Sequence, residues 1–325
     1  MLGSASMRWI KRLGGGLGFL VVAVLALRYL PGPAAPAPAR FEVIAHRGVH
    51  HTGSGGGSMT ECTATSILPV EHPYIENTLP SMQAAFDHGA TMVEIDIHPT
   101  ADDGMIVFHD WTVDCRTEGK GQTDEQSVAY LKSLDVGYGY TSDGGKTFPL
   151  RGRGVGMMPT LQEVLDRFPE RHFLINQKDR YERTLELLAG ILAHYPPEQR
   201  GRLHYWGPLP DLARRRIPDM GQAFHNRSSM KQCAKAFVLG LGLVAFPVEC
   251  HANYITLPTW VTPYIWGWPH RFLTGARTSG APVFLYLNTP EEGPEIPKLP
   301  IDGVVTDRIE VIGPWLRSLG RIPAG

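Results

Sequence analysis

The sequence lacks a strong excess of either charge, since its 325 residues include 31 lysines and arginines against 32 aspartates and glutamates. This near-neutral balance gives no electrostatic reason to expect a nucleic-acid partner. The chain also shows no evident internal repeat, which argues against a solenoid. Its length suits one large α/β domain of about 250 residues with appendages, or two ordinary domains.

Cysteine is scarce, and the spacing of Cys62, Cys115, Cys233 and Cys250 does not resemble that of a zinc site. An even number of cysteines permits two disulfides in an oxidising compartment, with three possible connectivities. Proximity along the chain predicts that Cys62 pairs with Cys115 and that Cys233 pairs with Cys250.

A glycine-rich run at 52–58 lacks the lysine and the serine or threonine of a nucleotide phosphate loop. We interpret it as a flexible connection within a long loop at 49–75. His50 and His51 in that loop are interpreted as solvated side chains rather than as ligands. The sequence predicts no protein partner.

The first forty residues differ in composition from the rest of the chain. Arg8, Lys11 and Arg12 precede fifteen residues without a charge, which is typical of a signal peptide or a signal-anchor transmembrane helix. Basic residues before an apolar run predict that the amino terminus stays in the cytoplasm and that the remainder is exported. The chain thus divides into a leader, a Pro/Ala linker and a main domain, at 1–30, 31–40 and 41–320. We expect the main domain to be periplasmic or extracellular, anchored in the membrane if the leader is retained and secreted if it is cleaved.

Residues 92–110 carry the densest set of candidate ligands. Successive side chains of a strand point to opposite faces, so Glu94 and Asp96 share one face. Two carboxylates on a strand that is otherwise apolar are costly to bury unless a cation or hydrogen-bond donors satisfy them. A hard divalent metal, Ca²⁺ or Mg²⁺, suits oxygen ligands of this kind. A short connection and a second apolar strand, at 105–108, predict a hairpin that delivers His109 as a candidate acid or base.

Strands and helices alternate along most of the chain, and polar side chains follow the strand ends. His46 ends a strand at 41–46, and a strand at 171–178 places Asn176 and Lys178 on one face. We predict further strands at 203–206, 243–246, 282–288 and 303–306, and helices after Thr78 and at 161–168, 181–195, 211–216, 229–239 and 309–319. This alternation predicts an α/β fold, a distorted (β/α)8 TIM-like barrel. The irregular stretch at about 111–158 predicts a loop-rich insertion over the barrel mouth.

The stretch from 196 to 278 gives the weakest pattern. Its tryptophans, Trp260, Trp266 and Trp268, fit the core, the barrel rim or a lipid-facing surface, and packing is the commoner role.

The polar motifs of the chain occur in a characteristic order: His46-Arg47-Gly48, Glu76-Asn77-Thr78, Glu94-x-Asp96, His109-Asp110, Met158-Pro159-Thr160-Leu161, Asn176-x-Lys178 and Asp302 to Asp307. This order resembles the glycerophosphodiester phosphodiesterase family, whose members look like distorted (β/α)8 barrels related to phosphatidylinositol-specific phospholipases C and sphingomyelinases D. The resemblance is dense from 41 to 110, moderate at 158–188 and 282–307, and weak from 197 to 281.

The resemblance implies metal-dependent hydrolysis of glycerophosphodiesters to glycerol 3-phosphate and an alcohol. Such hydrolysis requires charge neutralisation, a base and an acid. His46 and His109 would supply the acid and the base, in an order that the sequence leaves open. A glycerol hydroxyl can serve as the internal nucleophile through a cyclic phosphate. Arg47 and Lys178 would neutralise the phosphate. Glu76 would bind substrate, position Arg47 or the histidines, touch the metal or only support a helix start.

The implied metal ligands are Glu94, Asp96 and Asn176. Asn176 departs from the family pattern, which has an acidic ligand two residues before the lysine, and the loss of a formal charge should weaken metal binding. Two rival functions stay open. One is a lysophospholipase D-like or sphingomyelinase D-like activity on membrane lipids, and the other is a non-catalytic phosphodiester-binding module. Asn288 and Asp307 are predicted to make structural hydrogen bonds.

Overall fold

The structure, a computed structural model, describes residues 40–53, 62–225, 227–239, 246–251 and 254–323, with a few isolated positions before residue 40. The predicted leader, most of the linker and most of the strand predicted at 243–246 lie outside the described residues. Within the described ranges, no helix combines the length and the apolar character needed to cross a bilayer.

The described chain folds into one mixed sheet. Its strands are β1 (Glu42–His46), β2 (Met92–Pro99), β3 (Met105–Val107), β4 (His172–Gln177), β5 (Leu203–Gly207), β6 (Ala223–His225), β7 (Ile255–Pro258), β8 (Val283–Tyr286) and β9 (Gly303–Thr306). All except β3 are parallel, in the spatial order β6-β5-β4-β2-β1-β9-β8-β7. β3 pairs antiparallel with β2, which confirms the predicted hairpin.

Helices follow most of the strands. They are α1 (Leu79–Asp87), α2 (Val128–Ser133), α3 (Leu161–Arg167), α4 (Glu182–Leu192), α5 (Pro197–Arg200), α6 (Pro210–Arg216), α7 (Arg227–Leu239), α8 (His270–Thr278) and α9 (Ile309–Ser318). The Thr160 side chain accepts from the Glu163 amide, and the Glu163 carboxylate accepts from the Thr160 amide, so α3 begins with a capping box. Thr78 caps α1 in the simpler way, accepting from the amide of Ser81.

The parallel strands curl into the barrel that the alternation of elements predicts. The main hydrophobic cluster lies between the outer face of the sheet and the helices, with Val93 and Ile95 of β2 among its fully buried members. Strands covered on both faces lose the simple alternation of polar and apolar residues, as β2 shows by being buried throughout. Among the described residues, no ladder joins β6 to β7, so the sheet is open there. This opening is the distortion of the barrel.

The predicted insertion packs around its own apolar cluster. Leu131, Leu134 and Tyr140 from the insertion meet Ile75 and Phe108, which lie outside it. The cluster fixes the insertion against the loop before α1 and the end of the β2–β3 hairpin. Helix α2 lies within this stretch, where the sequence predicted only irregular structure.

Both disulfides match the pairing predicted from proximity: Cys62 with Cys115, and Cys233 with Cys250. The interpretation of His50 and His51 as solvated was wrong, because only 6% and 8% of their surfaces are exposed. The three tryptophans, for which the sequence left core, rim and lipid-facing positions open, differ in exposure. Trp260 is 73% exposed, whereas Trp266 and Trp268 are half-buried.

Substitution by alanine at two glycines in helices should change the stability of the fold in opposite directions. A Cβ on Gly313 in α9 would lie 1.9 Å from the carbonyl oxygen of His88, so G313A should destabilise the fold by about 1 to 3 kcal/mol. A Cβ on Gly190 in α4 would meet no atom of the described residues within 4 Å beyond the backbone of its own helix, so G190A should stabilise the fold by up to about 1 kcal/mol. Thermal unfolding checks both, and equal shifts in Tm would contradict this packing of α9.

Candidate active site

The candidate site forms where neighbouring parallel strands end. In the β1–β2 ladder His46 lies opposite Glu94, and in the β2–β4 ladder Asp96 lies opposite Asn176. Because the carboxyl ends of parallel strands meet at one edge of a barrel, these side chains converge at its mouth. Lys178 follows β4 directly and reaches the same place.

Asp96 is the most heavily engaged group of the site. It is fully buried, and its Oδ2 accepts from Asn77 Nδ2 at 3.0 Å and lies 3.4 Å from Arg47 Nε. Its Oδ1 accepts from Asn176 Nδ2 at 3.0 Å and pairs with Lys178 Nζ at 3.2 Å. Burial alone would raise the pKa of Asp96, but Lys178 and its other cationic neighbours outweigh burial and lower it. Asp96 is therefore ionised.

Glu94 has fewer partners than Asp96. Its Oε1 accepts from Asn176 Nδ2 at 2.9 Å, whereas its buried Oε2 has no hydrogen-bond partner among the described residues. Burial and then the charge of Asp96 raise the pKa of Glu94 to about 8. The cationic side chains around Glu94 and Asp96 thus supply too little positive charge to keep both carboxylates ionised near neutral pH.

This shortage of positive charge fits a divalent cation. Glu94, Asp96 and Asn176 can each offer a side-chain oxygen, the donor type that Ca²⁺ and Mg²⁺ prefer. The orphaned Oε2 of Glu94 is an available ligand atom. The Asn176 amide presents its nitrogen to both carboxylates, and a half-turn of the amide would present its oxygen to a cation instead.

His46 lies between two carboxylates. Its Nδ1 is 2.6 Å from Asp307 Oδ1, and its Nε2 is 3.9 Å from Glu94 Oε2. Asp307 is held in turn by the Tyr286 hydroxyl, which donates to Oδ2, and by Asn288 Oδ1, which accepts from the Asp307 amide at 2.8 Å. The structural hydrogen bonding predicted for Asn288 and Asp307 is confirmed. Asp307 in addition orients His46.

His109 has a carboxylate of its own. Its Nδ1 is 2.6 Å from Asp110 Oδ1, and its Nε2 is buried without a hydrogen-bond partner among the described residues. Lys178 Nζ donates to the His109 carbonyl at 3.1 Å, which ties the histidine to the Asp96 cluster. Burial and then Arg47 lower the pKa of His109 to about 4, so the ring is neutral near pH 7.

The backbone is strained at two residues of the site. Arg47 and Asn77 have φ of 61° and 57°, in the left-handed region that most residues avoid. Their side chains both bind Asp96. The backbone N–H of Asn77 also donates to the backbone carbonyl of Arg47 at 3.0 Å. Gly48 is required beside them, since a Cβ there would lie 2.2 Å from Ser81 Oγ. The strain is the cost of aiming both donors at one carboxylate.

Glu76 positions Arg47. Its Oε1 accepts from Arg47 NH1 at 3.1 Å, and its Oε2 pairs with Arg116 NH1 at 2.9 Å. Of the roles left open for Glu76, this geometry supports the positioning of Arg47.

Arg116 is the principal residue of the site that the sequence did not predict. Its side chain is 1% exposed, donates from Nε to Asp110 Oδ2 at 2.8 Å, and also bonds Tyr140 and Thr63. One guanidinium thus holds both Glu76, which holds Arg47, and Asp110, which holds His109. The only signal in the sequence was its position next to Cys115, a residue predicted to form a disulfide.

The structure therefore brings all eight sequence-predicted site residues into one region: His46, Arg47, Glu76, Glu94, Asp96, His109, Asn176 and Lys178. To these it adds Asn77, Arg116, Tyr286 and the histidine partners Asp110 and Asp307.

Comparison with known proteins finds similar sequences. Residues 46–187 match the model of the glycerophosphoryl diester phosphodiesterase family. A glycerophosphodiester phosphodiesterase from Caldanaerobacter subterraneus subsp. tengcongensis is 24% identical over 247 residues, which cover 75% of this chain and 93% of that protein. A lysophospholipase D from Mus musculus is 25% identical over 211 residues, which cover 64% of this chain and 57% of that protein.

The fold is similar to solved structures as well. An Oleispira antarctica phosphodiesterase in complex with the product sn-glycerol-3-phosphate superposes with a TM-score of 0.54 at 19% identity, covering 86% of this chain and 96% of that one. The barrel, the convergent site and the matched residues agree with one another. The matched residues and the shared fold support membership of the glycerophosphoryl diester phosphodiesterase family and indicate a phosphoric diester hydrolase.

Proposed function

We propose that this chain hydrolyses glycerophosphodiesters to glycerol 3-phosphate and an alcohol, using a divalent cation and two histidines. The observation that supports the proposal is the pair His46 and His109, each bonded to its own carboxylate, on a cluster that also contains Arg47 and Lys178. A module that only bound a phosphodiester would have no need of two oriented imidazoles. The relatives named above as glycerophosphodiester phosphodiesterases support the same substrate class.

The charge of the phosphate requires cationic partners. Arg47 and Lys178 supply two positive groups beside Asp96. A Ca²⁺ or Mg²⁺ ion held by Glu94, Asp96 and Asn176 would act there as a Lewis acid and stabilise charge on the non-bridging oxygens. Rigid donors in a buried site stabilise such charge better than water does, because they need no reorganisation.

Each of the two histidines carries out one of the proton transfers. The His109 ring is neutral and its Nε2 has no hydrogen-bond partner in the part of the chain that the structure describes, so it is the base that removes the proton from the attacking hydroxyl. His46, with carboxylates near both ring nitrogens, is the acid that donates from Nε2 to the leaving alcohol oxygen. When a glycerol hydroxyl attacks phosphorus, a cyclic phosphate forms. Water then opens this ring with the two histidine roles exchanged.

We further propose that the catalytic domain works outside the cytoplasm, anchored through the amino-terminal segment or secreted after its removal. The basic residues followed by an uncharged run support this location. The two disulfides agree with it, because such bonds persist in oxidising compartments.

A lysophospholipase D-like activity is the second candidate, and an apolar groove favours it. The groove has a volume of about 360 Å³ and is lined by Leu257, Val261, Tyr264, Trp266 and Phe237 among others. Part of its wall is the segment Thr259–Tyr264, which follows the carboxyl end of β7 and hence lies on the mouth side of the barrel. A groove of this size and character suits an acyl chain.

We expect the full chain to release glycerol 3-phosphate from glycerophosphocholine in Ca²⁺ or Mg²⁺ and to lose this activity in excess chelator. H46A and H109A should each lower kcat by at least about a hundredfold, because each removes a proton-transfer group. H194A, at an exposed histidine on another part of the surface, is the matched control. Full activity in chelator would disprove the metal requirement, and turnover of lysophosphatidylcholine alone would establish the second candidate.

Asn176→Asp should affect the metal-free and metal-bound proteins in opposite directions. Without metal the substitution removes two donated hydrogen bonds and places a third carboxylate beside the two buried ones, so Tm should fall. With metal it adds a charged ligand, and the Kd for Ca²⁺ should fall by at least about tenfold. Thermal unfolding in chelator and across a Ca²⁺ titration measures both effects. Q177E, on the opposite face of β4, should lose Tm without recovery by metal.

The raised pKa of Glu94 predicts that the stability of the metal-free protein depends on pH. That pKa is about 8 in the fold against 4.5 ordinarily, so the folded state holds a proton that the unfolded state releases between these values. The stabilisation from that proton is complete below pH 4.5 and is lost as pH rises through 8. The Glu94→Gln variant should therefore gain stability relative to wild type as pH rises from 5 to 8, by up to about 1.4 kcal/mol per unit. Denaturant unfolding in chelator tests this, and the exposed-site variant E170Q should show no such trend.

A further inference from the structure

A second cluster of donors lies beside the proposed oxygen-ligand site. We propose that His46, His50 and Asp307 form a binding site for a transition-metal ion of the Zn²⁺ class, and that an ion bound there inhibits hydrolysis. The binding part of this inference is independent of the proposed function. Only the inhibition rests on it, through His46.

The ligand atoms are already close together. One nitrogen from each histidine and one oxygen of Asp307 all lie within 4.8 Å of one another. His46 Nδ1 is 2.6 Å from Asp307 Oδ1, and His50 Nε2 is 3.6 Å from the same oxygen. Two imidazoles and a carboxylate are three protein ligands of the kind that Zn²⁺ takes, with the fourth position left to water.

Asp307 is held in a suitable orientation for such a site. Its Oδ2 accepts the Tyr286 hydroxyl and its amide is bonded by Asn288, so Oδ1 is directed to the two histidines. Hydrogen bonds of this kind around a ligand fix its position and strengthen metal binding.

His50 has no other assigned task. It is 6% exposed, and its Nδ1 has no hydrogen-bond partner among the described residues. Burial lowers the pKa of His50, although Asp307 and Glu76 oppose this, while the nearby His46 and Arg47 lower the pKa further. The ring is thus neutral near pH 7, as a metal ligand must be.

The two clusters differ in the ions that they select. Glu94, Asp96 and Asn176 offer oxygen alone, which suits hard ions such as Ca²⁺ and Mg²⁺. The cluster with His50 offers two nitrogens, which suit Zn²⁺ or Co²⁺. An ion can enter from the barrel mouth, where the side chains of His46 and Asp307 are 15% and 16% exposed.

Inhibition follows from the chemistry of His46. As an imidazolium, the ring donates a proton from Nε2 and becomes neutral imidazole. A metal on Nδ1 would take the position of the second ring hydrogen, so the ring could no longer be the imidazolium that gives up a proton from Nε2. A bound ion would also replace the hydrogen bond between His46 and Asp307. The leaving alcohol would then lack its proton donor.

The test uses the full chain, with Co²⁺ as a spectroscopic probe and Zn²⁺ as its competitor. Wild type should show the visible absorption of Co²⁺ with nitrogen ligands, and Zn²⁺ should abolish it. His50→Gln and, as a second variant, His50→Asn should weaken Co²⁺ binding by at least about tenfold. H51Q is the matched control, because His51 is also buried and adjacent in the chain but is not among the three ligands.

Inhibition is measured separately, each variant against its own rate without Zn²⁺ and in saturating Ca²⁺ or Mg²⁺. The Zn²⁺ concentration for half inhibition should rise at least about tenfold in both His50 variants and stay unchanged in H51Q. Equal Co²⁺ binding by wild type and folded His50 variants would overturn the proposal. Loss of the Co²⁺ spectrum in E94Q instead would assign the ion to the oxygen cluster and overturn it too. Because the spectrum needs no turnover, failure of the proposed function would leave this result readable.

Discussion

The buried carboxylate of Asp96 is the constraint on which the site depends. An ionised group with no exposed surface is tolerated only with charged and hydrogen-bonding partners around it. Those partners come from separate parts of the chain: Arg47 after β1, Asn77 before α1, and Asn176 and Lys178 at the end of β4. Satisfying one carboxylate therefore fixes the ends of two strands and a helix start. The left-handed backbone at Arg47 and Asn77 is a direct consequence.

A second layer of charge connects this cluster to the insertion. Arg116 binds Glu76 and Asp110 at once, and so couples the position of Arg47 to that of His109. Its neighbour Cys115 is joined to Cys62, and Thr63 beside Cys62 accepts from Arg116. The insertion thus helps to position the side chains of Arg47 and His109. A simple cover over the barrel mouth would have no reason to bury an arginine.

Much of the site was predictable because its residues follow strand ends. Period-two alternation placed Glu94 and Asp96 on one face, and parallel pairing brought His46 and Asn176 beside them. Arg116 was not predictable, because all its partners except Asp110 are distant in sequence and its segment has no periodicity. β6 and β7 escaped prediction for a related reason, since each spans only three or four residues. His50 and His51 looked like solvated loop residues, and only the fold shows that their side chains are buried.

Asn176 shows how the requirements of the metal-free site would conflict with those of the proposed metal-bound site. Its amide nitrogen donates to both carboxylates, so it reduces the repulsion between Glu94 and Asp96 when no cation is present. A carboxylate at the same position would bind a cation more strongly but would leave three buried acidic groups without one. An amide accepts or donates according to which end faces the cluster, so the same side chain would suit the metal-free site and the proposed metal-bound site. The asparagine thus favours a fold that persists without metal over one that requires it, at the cost of metal affinity.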